Sequence, residues 1–560
     1  MGFINHIRLF FAARRFELGV LFGFLALVSV VYGGTMAWGF FSDDFHHLFF
    51  TADGQPAWWY FMTNIIGERG GSSYGPIFNV LLAIEYALFG LFAPGWHAAS
   101  VFLHGVTGFF VFLTGRKITK SDLIGLTAGV LFLVLPSRTE AVGWIAGQPH
   151  LLATLFYLVG IYWYLVFLHE RKSLHYTLAL LAALLSLFTK EIGVTIFGAF
   201  FLLEIWDQSR RSGDFNREFL ISLVRRLSLP GVLFCAYLLL RWYATGQLGG
   251  YYGGQTLAFD LAPMMRMFVE LSVGIFFPHP YRAVAAVFIM QHLIAAVIMV
   301  GVFFFFLFKK AGAFRRPLFL FFALYLVSVL PFLQLELNHS HNGGERYTYL
   351  PSLFAALLVA AAVSAFFRIT AFRYRSVGIM VVVIAALFLP FHPGKNASWQ
   401  SASSVVQGIT QSYPEARGSG GDYLIFVGLP DTVGGAEAFR NAIREAIVLT
   451  YKQSLPAGER IPIYTALQSE TAIKQKFNLE KQDEYRYILR AEGGGDMFTG
   501  FSSFTNDLAT FALLPGSRPE RGSGIMIEFN AAELERMQRA GQNVRMMYYS
   551  EGRLAGRVIE

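Results

Sequence analysis

The chain has 560 residues, of which 55% are hydrophobic and only 15% are charged, with a formal net charge of +8. Soluble domains carry about a quarter charged residues, so this composition excludes an ordinary soluble protein as a description of the whole chain. The basic residues fall in short clusters between apolar runs, which argues against a nucleic-acid partner and for membrane lipids as surroundings.

A hydrocarbon core of about 30 Å needs roughly 20 apolar residues in a helix. The first such run, Leu18–Val31, follows Arg14 and Arg15. It is too long for a signal peptide, lacks a small-residue cleavage site and is followed by further spans. Membrane helices are predicted at 17–38, 96–115, 121–136, 150–168, 174–189, 191–206, 229–245, 285–308, 317–333, 349–367 and 377–391. The lone cysteine, Cys235, lies in the 229–245 run and permits no intrachain disulfide.

Lys and Arg collect on one set of connections: Arg8/Arg14/Arg15, Arg116/Lys117/Lys120, Arg171/Lys172, the 210–226 stretch, Lys309/Lys310/Arg315/Arg316 and Arg368/Arg373/Arg375. By the positive-inside bias this places the N-terminus inside and, with about eleven spans, the C-terminus outside. Residues 1–392 are expected to form the membrane domain, with long outer loops 39–95 and 246–284. Amphipathic stretches Ile77–Leu91 and Met264–Phe277 in these loops suit the interface. The short spans flanking Thr189-Lys190-Glu191 predict a turn that dips toward a cavity.

Beyond Pro390 the texture changes. Residues 395–560 read as a soluble α/β or α+β domain, outside the membrane. Strands are predicted at Tyr423–Val427, Ile461–Tyr464, Tyr485–Leu489, Gly524–Phe529 and Val544–Tyr549, and a helix at Ala436–Tyr451 after Gly434-Gly435.

Ionisable residues near an apolar zone are expensive and point to function. On the outer side they gather in four places: Asp43 and Asp44; Arg138, Glu140 and His150; Lys190 and Glu191; and Glu345 and Arg346. Adjacent carboxylates after a membrane helix suit general-base work, and could equally cap a loop helix. Cations on separate outer turns suit a phosphate leaving group, and Arg can grip two oxygens at once. His46, His47, His339 and His341 do not follow a zinc spacing, so no metal and no cofactor is expected. The run Gly249–Gly254 reads as a flexible loop.

The segments Ser42-Asp43-Asp44, Leu135–Gly147, Phe188-Thr189-Lys190-Glu191 and Glu345–Ser352 resemble, in this order, the membrane part of the tetratricopeptide-bearing transmembrane O-mannosyltransferases, and more broadly the GT-C glycosyltransferases. The resemblance spans about residues 17–391. It implies a sugar taken from a polyprenyl-phosphate donor with inversion, an aspartate of the first outer loop as base, and usually no required metal. Asp43, Asp44 and Glu140 are then the catalytic candidates, and Arg138, His150, Lys190, Glu191, Glu345 and Arg346 the substrate-binding ones. The chain departs from the family at Arg138 and at Gln148-Pro149-His150. Residues 395–560 stand where the family has its repeats, so a protein or a glycan acceptor both stay open. The alternative reading is a transporter or flippase for a lipid-linked glycan, which would be expected to line a mid-membrane path with charge. A scaffold whose working part is the C-terminal domain is a third.

Overall fold

The computed structural model describes residues 14–559 apart from 72, 249–259, 279–280, 336–342, 367–373, 419–420, 455–456, 493–495, 500–502 and 516–520. Arg8, Arg368, Arg373, His339, His341 and the 249–254 glycine run lie outside the described residues. Contacts divide the chain into two units: a helical one that carries most of residues up to Pro393, and a second made of Ala37–Asp53, Gly343 and Gly394–Glu560.

Among the described residues eight helices are long and apolar enough to cross a membrane, the last of them continuing past Pro393 to Arg417, or up to ten if two bent pairs each count as a span. With the strand-bearing second unit, this makes the chain a polytopic α-helical membrane protein with a C-terminal α/β-type domain. Helix starts follow local chemistry. The Ser121 hydroxyl accepts from the Ile124 N–H, and the Asn216 side chain accepts from Phe219 N–H at 3.0 Å, opening the helices Asp122–Val134 and Arg217–Thr245. Lys120 and Arg171 end their helices in the left-handed region, at φ 58° and 57°, where cations also meet the negative end of the helix dipole.

Two expected spans are not straight. The 121–136 span stops at Leu135 and turns by 60° into Pro136–Gly143, because Pro136 removes a backbone donor and restricts the residue before it. The 285–308 span breaks by 92° at His292, whose ring packs edge-on against Phe288. The interfacial candidates are helices Pro76–Phe89 and Leu261–Phe276, of 14 and 16 residues.

Among its described residues the second unit holds three sheets. Tyr423–Val427 pairs in parallel with Val544–Ser550 and Gly458–Arg460, and Leu429–Val433 pairs in parallel with Ile463–Leu467. A five-stranded antiparallel sheet contains Gly524–Phe529 at its centre. The helix expected over Ala436–Tyr451 covers only Ile443–Tyr451. Ala436–Glu437 is instead a strand returning on Leu429–Val433, because Gly434 and Gly435, at φ 56° and 80°, make the two-residue hairpin turn that needs positive φ at both positions.

Ala37–Asp53, read in sequence as part of an outer membrane loop, is integral to this second unit. Trp38 stacks on Trp399 at 5.9 Å, Phe45 stacks on Phe439 at 5.7 Å, and the Gly39 N–H donates to Ser403 Oγ at 2.8 Å.

The hairpin turn offers a test of the second unit's construction. A Cβ at Gly434 would collide with the Ser469 and Ser398 hydroxyls as well as occupy a strained backbone region. Gly434→Val is expected to cost roughly 1–3 kcal/mol, read as a lower unfolding temperature; an unchanged midpoint would contradict the turn geometry.

Candidate active site

In the first unit the site is built from three turns. The first runs from Pro136 through His150. Arg138 is 0% exposed and is caged by hydroxyls: its guanidinium donates to Ser352 Oγ at 2.8 Å, Ser137 Oγ at 2.7 Å and Thr348 Oγ1 at 2.6 Å, and it lies over the Tyr349 ring. Buried charge is retained only when its donors are satisfied, and here hydroxyls do most of that work. Arg138 therefore ties the first turn to the third, which runs from Gly344 through Ser352, and presents little of itself to a ligand.

Glu140 is also buried, at 1% exposure. Its two oxygens accept from the Gly344 N–H at 3.2 Å, the Arg346 N–H at 2.7 Å and the Arg346 guanidinium. Gly344 sits at φ 92°, a conformation that favours glycine, and the amides of Gly344 and Arg346, two residues apart, both face the one carboxylate. The Arg346 guanidinium lies over the rings of Trp144 and Tyr347, at 5.0 and 4.8 Å, so cation–π contact and ion pairing fix its direction together. Glu345 beside it is buried.

The third turn is matched by the one at Lys190. The Lys190 N–H returns to the Ser186 carbonyl, and Gly193 packs where a Cβ would strike the Leu187 backbone, so the chain doubles back tightly. Lys190 Nζ donates to Ser73 Oγ at 3.0 Å and lies 3.6 Å from Glu191. Glu191 in turn accepts from Arg241 at 2.7 Å and from the Tyr74 N–H at 2.9 Å. Glu191 is thus shared between two cations.

His150 links these groups. It is buried, its ring packs against Tyr347, and it lies within electrostatic reach of both Lys190 and Arg346. The structure therefore gathers Arg138, Glu140, His150, Lys190, Glu345 and Arg346 through three turns, with Glu191 attached through Lys190.

Asp43 and Asp44 belong to the other unit, in the first turn of the helix Asp43–Ala52, where carboxylates suit the helix dipole. Asp44 is 0% exposed; its Oδ2 accepts from the Phe41 N–H at 2.9 Å while its own N–H donates to the Phe41 carbonyl. Asp44 closes the turn at Ser42. Asp43 is half-buried and accepts from Asn441 Nδ2 at 2.7 Å.

Sequence reasoning missed Arg241, Ser73 and the Trp144 face. Arg241 had a signal, a charge inside the apolar 229–245 run, and Trp144 lies within the Leu135–Gly147 segment singled out above; Ser73 had none. Among the described residues no cluster of three His, Cys, Asp or Glu side chains is placed to hold a metal ion.

No family model matches the sequence. The chain is 29% identical over 189 residues to the protein O-mannosyl-transferase Tmtc1 of Drosophila melanogaster, covering 32% of this chain and 22% of that protein. It is 29% identical over 253 residues to Tmtc2 of the same fly, covering 42% and 26%. Human TMTC3 is 26% identical over 195 residues, covering 32% and 21%. The homologues of this chain are thus protein O-mannosyltransferases, and the matched stretches span 21–26% of their length. Among solved structures, the apo oligosaccharyltransferase of Archaeoglobus fulgidus is similar with a TM-score of 0.42 and 13% identity, covering 73% of this chain and 62% of that one. ArnT from Cupriavidus metallidurans, bound to undecaprenyl phosphate, gives 0.32 and 12%, covering 83% and 96%.

Removing one partner of a buried ion pair costs about 3–5 kcal/mol. Glu140→Gln is therefore expected to lower thermal stability in detergent by that order and to release Arg346. A variant as stable as the parent would contradict the clamp.

Proposed function

We propose that this chain is an inverting GT-C glycosyltransferase that moves a sugar from a polyprenyl phosphate to an acceptor hydroxyl on the non-cytoplasmic face. The observation that carries this reading is the placement of Lys190 and Arg346, two cations from separate turns of the membrane unit, within electrostatic reach of the same buried His150. Such a pair suits the charge that grows on a departing phosphate. The homologues' names support transfer of a sugar and make mannose the first donor to try. The positive-inside bias supports the orientation.

In the proposed reaction an aspartate of the Ala37–Asp53 segment accepts the hydroxyl proton of the acceptor, a protein or a glycan. The acceptor oxygen attacks the anomeric carbon from the face opposite the phosphate. The bond from that carbon to the phosphate oxygen breaks, and the polyprenyl phosphate leaves with the bonding pair. Asp43 is the better base, because Asp44 is committed to the Phe41 amide. Arg346 receives the phosphate, with Glu140 orienting it. Lys190 adds charge, while Arg138, Glu191, His150 and Glu345 shape and balance the cluster.

Purified full-length protein is to be incubated with polyprenyl-phosphate sugars and a pool of serine- and threonine-bearing peptides. Asp43→Asn is expected to lower transfer by about a hundredfold or more with unchanged thermal stability; transfer at the parent rate would remove Asp43 from the role. Arg346→Lys is expected to weaken donor binding as well as turnover, since an ammonium does not reproduce a two-pronged grip. Parent values of KM and kcat in that variant would contradict the phosphate assignment.

A further inference from the structure

A carboxylate in the first turn of a short, half-buried helix has rotational freedom that a general base has to lose. Catalysis by proton transfer depends on the reacting oxygen being held in line. The second unit supplies such a restraint on Asp43, from residues nearly four hundred positions away in sequence.

Three hydrogen bonds join the Asp43 turn to the loop between Ala438 and Ala442. The Ser42 N–H donates to the Ala438 carbonyl at 2.8 Å. The Asn441 N–H donates to Ser42 Oγ at 3.2 Å, and Asn441 Nδ2 donates to Asp43 Oδ1 at 2.7 Å. Among the described residues no second hydrogen bond to that carboxylate is found, and its remaining electrostatic partner is the Arg440 guanidinium. Asn441 donates here as a neutral amide, which orients the carboxylate without neutralising it.

Backbone conformation reinforces this. Ser42, immediately before Asp43, has φ 40°, and Ala442, immediately after Asn441, has φ 64°. Both are non-glycine residues in a region that L side chains rarely adopt, and such strain persists only where surrounding contacts enforce it. Below the loop, Arg440 grips the buried Asp431 through two nitrogens at 2.6 and 3.0 Å. Burial lowers the Arg440 pKa, but Glu437, Asp431 and Asp43 outweigh it and hold the guanidinium above its ordinary value. On the same helix as Asp43, His46 Nδ1 lies 3.6 Å from Glu445.

We infer that Asn441 is a positioning residue for Asp43, so that the C-terminal unit holds the base of the transfer reaction in one orientation. This rests on the proposed transferase reading with Asp43 as base. It gives residues Gly394–Glu560 a part in turnover, where the sequence left their role open.

The test uses full-length Asn441→Ala and Asn441→Asp with polyprenyl-phosphate mannose and the serine/threonine peptide pool, measured across pH. Asn441→Ala is expected to lower kcat about tenfold or more, with donor KM within about twofold of the parent. In Asn441→Asp a second carboxylate faces Asp43. Like charges favour the protonated acid, so the acid limb of the pH–rate profile is expected to move up by about one unit or more, with activity partly regained at higher pH. A loss of stability alone would reduce the folded fraction and leave that limb in place. Parent kcat and an unmoved limb in both variants would overturn the inference while Asp43→Asn still abolished transfer. An Asp43→Asn variant at the parent rate, or a parent that transfers no sugar, would overturn the underlying reading and the inference with it.

Discussion

The membrane unit depends on one buried carboxylate. Glu140 takes hydrogen bonds from two backbone amides and the guanidinium of a turn about two hundred residues further on. An unpaired carboxylate in that position would be very costly, so the turn and the carboxylate specify one another. Arg138 secures the same turn from its other side through Thr348 and Ser352. With Arg346 fixed this way, His150 and Lys190 find it in a defined place. The charges that look catalytic in the sequence therefore divide into a frame, Glu140 and Arg138, and the groups the frame presents, Arg346 and Lys190.

A comparable division applies to the two aspartates. Asp44 spends its carboxylate on the Phe41 amide, while Asp43 is held through a single oxygen. Both sit at a helix start, so the structural explanation for an acidic pair after a membrane span is true of them as well. The proposed base role for Asp43 is compatible with this, because Asp44 alone takes the Phe41 amide.

Much of this was legible in the sequence, for physical reasons. Long apolar runs announce spans because a bilayer admits few other structures. The strands Tyr423–Val427 and Gly524–Phe529 appear with the bounds expected from their apolar runs. The helix over Ala436–Tyr451 was half right: helical propensity of the individual residues lost to the Gly434-Gly435 turn, which commits the chain to a hairpin first. The bend at Pro136 carried its own signal. Contacts between distant segments carried none. Neither the Asp43–Asn441 bond nor the inclusion of Ala37–Asp53 in the C-terminal unit has a local signature, because both arise from pairing across the chain.

The claim at the centre is that the outer cations meet a lipid phosphate whose sugar is then transferred. The most direct measurement reconstitutes the full-length protein in liposomes with labelled polyprenyl-phosphate mannose and an acceptor peptide pool inside and out. It follows both the fate of the sugar and the leaflet of the lipid. The expected result is covalent appearance of mannose on acceptor with release of polyprenyl phosphate. Movement of intact donor between leaflets with no sugar on any acceptor would contradict the account and identify a transporter.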